Sequence, residues 1–241
     1  MAEAAVAIPV AESKGPGLFA RLIGVIFSPR ATYQAVVARP RALGAFVVTI
    51  AIMAVTEGAF FRTTVMQEVL MDQQVKMIES FGVTINDETY ARMEDGVARA
   101  AYTTPLSLAI GIPIVAAICA GLILAIWGML MGGTGTFKQV YAILAHSGSI
   151  LALAVLFAMP LSYFMRQLTG ANLSAFVPML DEDTFLVRFL GAIDLFYVWW
   201  CISVAIGVGV LFKRKTAGIA TTFLGFYVFV ALLLAIVRSG N

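Results

Sequence analysis

The sequence has little charge, a single histidine and only two cysteines. Charged residues make up 12% of the 241 positions and hydrophobic residues 61%. Soluble domains carry about 25% charged residues, so half of the usual charge is missing. One histidine cannot supply the three or four ligands of a zinc site, and Cys119 and Cys201 lie in apolar runs. We therefore expect no metal, no cofactor and no catalytic centre.

The chain contains several long apolar segments. The segment from Pro105 to Met131 has no ionisable side chain. As a helix it would be roughly 40 Å long, more than the roughly 30 Å of bilayer hydrocarbon. Several such segments are typical of a polytopic membrane protein. We predict an all-α bundle of five transmembrane helices, with spans at about 42–61, 105–131, 138–164, 188–212 and 217–237.

The segments around these spans are shorter and more polar. Residues 1–17 are expected to form a disordered tail. Residues 18–40 are predicted to form two short helices that bend at Ser28-Pro29, because serine suits an N-cap and proline the first helical position. Their apolar faces beside arginines favour either a position at the headgroup level or a cytoplasmic cap packed on the bundle. Residues 62–104 are predicted to form an external helical hairpin.

Basic residues near the ends of the spans predict the orientation. An inside amino terminus places nine basic residues on the cytoplasmic side and seven outside. The nine include the cluster Lys213-Arg214-Lys215. We therefore predict a multi-pass protein of the inner (cytoplasmic) membrane, with the amino terminus cytoplasmic and the carboxyl terminus external.

Ionisable side chains inside the predicted spans are candidate functional residues, because charge is costly in hydrocarbon. They are Glu57, His146 and Asp194. Glu57 and Asp194 are expected near the outer ends of their spans, within reach of Arg166 or Arg188. This arrangement favours structural ion pairs over an ion pathway. For His146 a hydrogen bond to neighbouring backbone is favoured over a metal site or a proton relay.

Three motifs together resemble a known family. They are Phe27-Ser28-Pro29-Arg30-Ala31-Thr32-Tyr33 with Arg39-Pro40, Gly132-Gly133-Thr134-Gly135-Thr136-Phe137-Lys138-Gln139, and Asp194-Leu195-Phe196 with Trp199. In order and spacing the chain is similar to the bacterial branch of the YIP (Ypt-interacting protein) family. The resemblance implies a cytoplasmic amino terminus, five spans and an external carboxyl terminus.

The same resemblance limits the partners that we expect. Eukaryotic members act in vesicle traffic and bind prenylated Rab-type GTPases. Their long cytosolic amino terminus has no counterpart here, and the Tyr-Gly-Tyr-Ser of their third span corresponds at best to His146-Ser147. GTPase binding is therefore not expected. The expected partners are the lipid bilayer and other membrane proteins or a second copy, and the net charge of +2 argues against nucleic acid.

These observations favour a non-catalytic function. We predict a non-enzymatic scaffold or accessory subunit that organises membrane proteins or lipid. A small permease or a component of an export system is the alternative.

Overall fold

The computed structural model describes residues 15–80, 82–177, 179–181 and 184–239. Within these residues the regular structure is helical, apart from one isolated antiparallel bridge between Asn172 and Asp194. The predicted all-α class is therefore confirmed. Most of the predicted tail, residues 1–14, lies outside the described residues.

The described chain begins with two short helices, α1 (Leu18–Phe27) and α2 (Pro29–Ala38). Ser28 lies between them, and the fixed φ of proline suits the first position of α2. Helix α1 buries one side against the bundle. Its other side exposes apolar side chains spaced four residues apart, namely Phe19, Ile23 and Phe27. The pair therefore both packs on the bundle and presents an apolar stripe, as an interfacial helix does.

Helices α3 (Leu43–Phe60) and α4 (Thr64–Glu79) follow, and they differ in environment. Helix α3 is apolar and long enough to cross a membrane. Helix α4 is polar along most of its length, and Thr63 caps its amino terminus by accepting a hydrogen bond from the Met66 N–H. It is held by a small apolar cluster that consists of Phe61, Met66, Val69 and Ala101.

Helix α5 (Asp87–Ile123) continues directly into a π-helical stretch, Leu124–Leu130. One unbroken helical segment of 44 residues thus covers both the second arm of the predicted hairpin and the predicted second span. The second span is predicted to begin at Pro105, separate from the hairpin, but in the structure Pro105 lies inside one continuous helix. The hydroxyls of Thr103 and Ser107 donate to carbonyls one turn back, at Arg99 and Thr103. In an apolar medium such internal pairing is strongly favoured over a break.

Helix α6 (Phe137–Met165) forms the centre of the bundle. Half of its most apolar window is buried, against 28% or less for the corresponding windows of α3, α5 and α9. Thr136 and Gln139 form a reciprocal capping box at its start. The helix therefore begins sharply after the glycine-containing turn and passes between its neighbours.

The predicted fourth span, 188–212, is not one helix. It is divided into α7 (Phe185–Gly191) and α8 (Leu195–Leu211), separated by Ala192, Ile193 and Asp194. Asp194 has extended backbone, and it caps α8. With 17 residues α8 is about 25 Å long, shorter than the roughly 30 Å of a bilayer core.

Helix α9 (Thr216–Ser239) ends the described chain. Among the described residues, four helices are long and apolar enough to cross a membrane: Leu43–Phe60, Asp87–Leu130, Phe137–Met165 and Thr216–Ile236. The apolar character of these helices supports a membrane protein, and α8 is the shorter apolar helix where the sequence predicts a fifth span.

Candidate functional site

A basic cleft opens where α1, α2, α3 and α6 meet. Its volume is about 560 Å³, and its polar lining consists mainly of three arginines and one histidine. Arg21 comes from α1, Arg39 and Arg41 come from the connection between α2 and α3, and His146 comes from α6. We call this feature the basic cleft.

Arg21 is held in the cleft by two backbone carbonyls. Its side chain is only 7% exposed, Nε donates to the Pro16 carbonyl at 3.0 Å, and Nη1 donates to the Arg39 carbonyl at 3.0 Å. Burial lowers the pKa of Arg21, and the neighbouring charges of Arg41 and Arg39 lower it further. Arginine nevertheless stays protonated in proteins. The cleft therefore contains a fixed positive charge among like charges.

His146 is 1% exposed and lines the same cleft. Its Nδ1 lies 2.8 Å from the Ala142 carbonyl oxygen of its own helix. A carbonyl only accepts, so Nδ1 carries the hydrogen and Nε2 is left as the second polar atom of the ring. Nε2 has no hydrogen-bond partner within the described part of the chain. An unsatisfied buried polar atom is costly, and it is a signal of a binding or strained site.

A buried polar network lies next to His146 and joins three helices. Tyr33 of α2 is fully buried, and its hydroxyl shares a hydrogen bond of 2.7 Å with the Ser203 hydroxyl of α8. The Trp200 indole N–H of α8 donates to Ser147 Oγ of α6 at 3.0 Å, and the Ser147 hydroxyl donates to its own helix at the Leu144 carbonyl. Burial raises the pKa of Tyr33, so its phenol stays protonated at neutral pH. The network fixes α2 against α6 and α8.

The glycine-containing turn between α5 and α6 packs against the end of α8. Gly132 has a φ of +70°, which favours glycine. A Cβ at Gly133 would lie 2.3 Å from Phe212 Cδ1, so a side chain at this position has no space. Gln139, just after the turn, donates through Nε2 to the Val37 carbonyl at 3.1 Å and so ties α6 to α2. The motif is explained by a tight turn and close packing.

These contacts define one end of the bundle, which we call the amino-terminal end: α1, α2, the 131–136 turn and the 212–215 turn. Arg214 Nη2 joins the last two by donating to the Met131 carbonyl at 2.6 Å. None of the described acidic residues lies in these segments. Eight described basic residues lie in or directly beside them: Arg21, Arg30, Arg39, Arg41, Lys138, Lys213, Arg214 and Lys215.

The other predicted candidates lie toward the opposite end, which consists of α4, the first turns of α5, the described residues between positions 166 and 184, and α7. Arg166 Nη1 lies 3.9 Å from Glu68 Oε2 in an exposed pair, so its acidic neighbour is on α4. The Glu57 carboxylate, in the last turn of α3, makes no hydrogen bond or ion pair within the described residues. Arg188 lies in α7. The structure thus pairs Arg166 with an acid that the sequence analysis did not consider.

Asp194 is placed differently from the prediction. Its Oδ1 accepts from the backbone N–H groups of Phe196 at 2.7 Å and Tyr197 at 3.3 Å, which is the geometry of an N-cap. Its own backbone N–H donates to the Tyr227 hydroxyl at 2.9 Å. The carboxylate therefore lies at the terminus of a helix, and not within a continuous span as the sequence analysis expected.

The sequence does not predict that Arg21, Arg39 and Arg41 lie around His146. It also does not predict the hydrogen-bond partners of Tyr33. Arg21 is separated from Arg39 by 18 positions, and Tyr33 from Ser203 by 170. No local pattern reports such contacts. The available signal was the position of Tyr33 within the motif of residues 27–33.

The fold is that of an all-helical membrane protein whose amino-terminal helix pair packs against the spanning helices. The family model of the Yip1 domain matches residues 23–238, which is nearly the whole chain. The chain therefore belongs to the Yip1 family, as the resemblance indicated. No curated protein and no solved structure matches the chain.

Proposed function

We propose that this Yip1-family protein is a non-enzymatic scaffold or accessory subunit that associates with other membrane proteins. The observation that carries the proposal is the exposed apolar face of α5. Only 11% of the most apolar window of α5 is buried within the protein. The preceding part of the same helix forms the arm that packs on α4. A surface of this kind is available to lipid and to the helices of other membrane proteins.

A lateral apolar cleft supports the same proposal. It lies between α5, α8 and α9, and its volume is about 440 Å³. Its wall includes Ile126, Trp200 and Phe226, and nearly all of its lining is apolar. Van der Waals packing drives helix association in lipid, so an apolar groove suits side chains of a partner helix.

The buried polar groups also favour a scaffold. Those of Tyr33, Ser147 and Ser203 are hydrogen-bonded to one another's helices or to backbone. Groups committed in this way hold helices together and do not line a passage for a solute. This is why a structural role accounts for them better than transport does.

The distribution of charge supports the proposed orientation. The amino-terminal end carries eight described basic residues and none of the described acidic ones. Positively charged segments flanking spans are retained in the cytoplasm. We accordingly place this end in the cytoplasm and the α4–α5 arm outside an inner (cytoplasmic) membrane, with α8 as a fifth span.

Site-specific photo-crosslinking in native membranes tests the scaffold. A photoreactive amino acid at Leu122, which is 59% exposed, is expected to form crosslinks to another polypeptide. The same probe at Val208 of α8, which is fully buried and does not line the lateral cleft, is the control and is expected to form none. Crosslinks to lipid alone from Leu122 and from other exposed positions on α5 would contradict the proposal.

A small permease or export component is the second candidate, and one observation favours it. The fourth span is interrupted at Asp194, and interrupted helices are a feature of transporter binding sites. Flux in proteoliposomes that is lost in a Glu57→Gln, His146→Asn, Asp194→Asn triple variant would support it. Flux that survives all three substitutions would remove its mechanistic basis.

A further inference from the structure

The basic cleft holds positive charge that the described chain does not neutralise. Arg21, Arg39 and Arg41 line it, and none of the described acidic residues lies at this end of the bundle. Like charges brought together in this way repel, and the repulsion is felt most at Arg21, which is buried, whereas Arg39 and Arg41 are exposed. An anion bound among them would relieve it.

His146 gives a second and independent indication of a ligand. Its imidazole is 1% exposed, it lines the cleft, and Nε2 has no hydrogen-bond partner within the described residues. The fixed Nδ1 leaves Nε2 to accept a hydrogen bond from a ligand hydroxyl. Most buried polar side-chain atoms have a hydrogen-bond partner, so the unpaired Nε2 requires an explanation.

The arginines are arranged to bind an oxyanion. The Pro16 and Arg39 carbonyls occupy two N–H groups of Arg21 and so fix the plane of its guanidinium. Arginine has five N–H donors, so three remain for a ligand. Planar guanidinium groups bind phosphate and carboxylate oxygens in pairs of parallel hydrogen bonds. The volume of about 560 Å³ falls within the range of small-molecule sites.

The surroundings of the cleft point to a ligand with acyl chains. Leu18 and Gly44 form part of its rim, and the residues beside them in sequence are exposed and apolar. Phe19 and Ile23 of α1 and Leu43 and Val47 of α3 are each at least 57% exposed. A cleft lined by arginine that opens beside an apolar surface matches an anionic headgroup attached to a hydrocarbon tail.

We propose that the basic cleft binds the headgroup phosphate of an anionic phospholipid, with the acyl chains lying along the exposed faces of α1 and α3. Arg21, Arg39 and Arg41 contact the phosphate oxygens, and His146 Nε2 contacts a headgroup oxygen at the floor of the cleft. This inference goes beyond the scaffold, because it rests on different residues and holds whether or not α5 recruits a partner.

Titration of the purified full-length protein in mild detergent tests the proposal. The probes are dihexanoyl-phosphatidylglycerol, dihexanoyl-phosphatidylcholine and inorganic phosphate, with binding followed by thermophoresis. Phosphatidylglycerol is expected to bind at least about tenfold more tightly than either of the others, because it alone combines a net negative charge with acyl chains. Inorganic phosphate binding as tightly as phosphatidylglycerol would overturn the assignment to lipid.

Variants connect the binding to the cleft. Arg39→Gln with Arg41→Gln should weaken phosphatidylglycerol binding about tenfold or more, because charge-assisted hydrogen bonds are lost. Arg30→Gln is the matched control: Arg30 is exposed on α2 but does not line the cleft, so its affinity should stay within about twofold. His146→Phe should also weaken binding. Equal losses in the Arg30 and the Arg39/Arg41 variants would show unspecific attraction and would overturn the site.

A final arm deals with the chain's own carboxylates. Glu3 and Glu12 precede Gly15 in the sequence and lie outside the described residues. A Glu3→Gln, Glu12→Gln variant that binds phosphatidylglycerol more tightly than the wild type supports an anion site for which the tail competes. If neither this variant nor the wild type binds phosphatidylglycerol, the proposal is overturned.

Discussion

The two ends of the bundle use their polar residues in opposite ways. At the amino-terminal end, side chains form hydrogen bonds between helices that are distant in sequence, such as the buried contact of Tyr33 with Ser203 and the half-buried contact of Gln139 with the Val37 carbonyl. At the opposite end the ion pairs are exposed, such as the Arg92–Glu88 pair within one helix, whose side chains are both 74% exposed. The contact there from the Asp194 backbone N–H to the Tyr227 hydroxyl of α9 is only partly buried. The fully buried hydrogen bond between distant helices, Tyr33 to Ser203, therefore belongs to the amino-terminal end.

Physical chemistry explains why this difference matters. A buried hydrogen bond whose partner is removed leaves an unsatisfied group, which costs about 1–3 kcal/mol. An exposed ion pair contributes about 0–1 kcal/mol. The opposite end relies instead on the apolar cluster around Met66, and it presents an acidic, solvated surface. We expect substitutions at the two ends to differ accordingly.

The largest expected effect is that of Tyr33→Ala. Tyr33 is fully buried, so the substitution leaves a cavity and removes a hydrogen bond, and we expect a loss of about 3–5 kcal/mol in the free energy of unfolding. Tyr90→Ala is the control, because Tyr90 on α5 is 48% exposed, and the expected change is within about 0.5 kcal/mol. Unfolding in mixed detergent and dodecyl sulfate micelles measures both. Equal losses would break the comparison.

A smaller effect is expected from closing the space between α6 and α8. A Cβ at Gly207 would lie 2.4 Å from Ile143 Cγ2, so Gly207→Ala should cost about 1–3 kcal/mol through overpacking. Gly111 on α5 has nothing within 4 Å of the same position. Gly111→Ala should be neutral or slightly stabilising. Gly207→Ala at wild-type stability would contradict the close approach of the two helices.

The smallest effect is expected at Asp194, and it sharpens the assignment of this residue. Asp194→Ala removes an N-cap and should cost about 1 kcal/mol, whereas asparagine is an equally good cap, so Asp194→Asn should stay close to the wild type. The same unfolding measurement distinguishes the two. If asparagine is as damaging as alanine, the charge itself is required and the carboxylate is more than a cap.

The helical class and the membrane environment could be predicted because their signals are local. Apolar runs free of charge, such as Pro105 to Met131, indicate helices in lipid without any knowledge of their neighbours. Both predictions depend on residues that are adjacent in sequence.

The breaks between helices were harder to predict because two local signals compete. The apolar run after Asp194 favoured a continuous span, but the carboxylate caps the following helix and the chain bends there. At Pro105 the proline favoured a helix start, but the helix that begins at Asp87 continues through it. The basic cleft could not be predicted, because its residues come from separate helices that only packing brings together.

The central claim is that the two ends of the bundle lie on opposite sides of a membrane. Single cysteines at Arg30 and Arg92, both exposed, in a Cys119→Ser, Cys201→Ser background test it with a membrane-impermeant maleimide on intact spheroplasts. We predict that Arg92→Cys is labelled in intact spheroplasts and that Arg30→Cys is labelled only after lysis. Labelling of both positions before lysis, or of Arg30→Cys alone, would contradict the account.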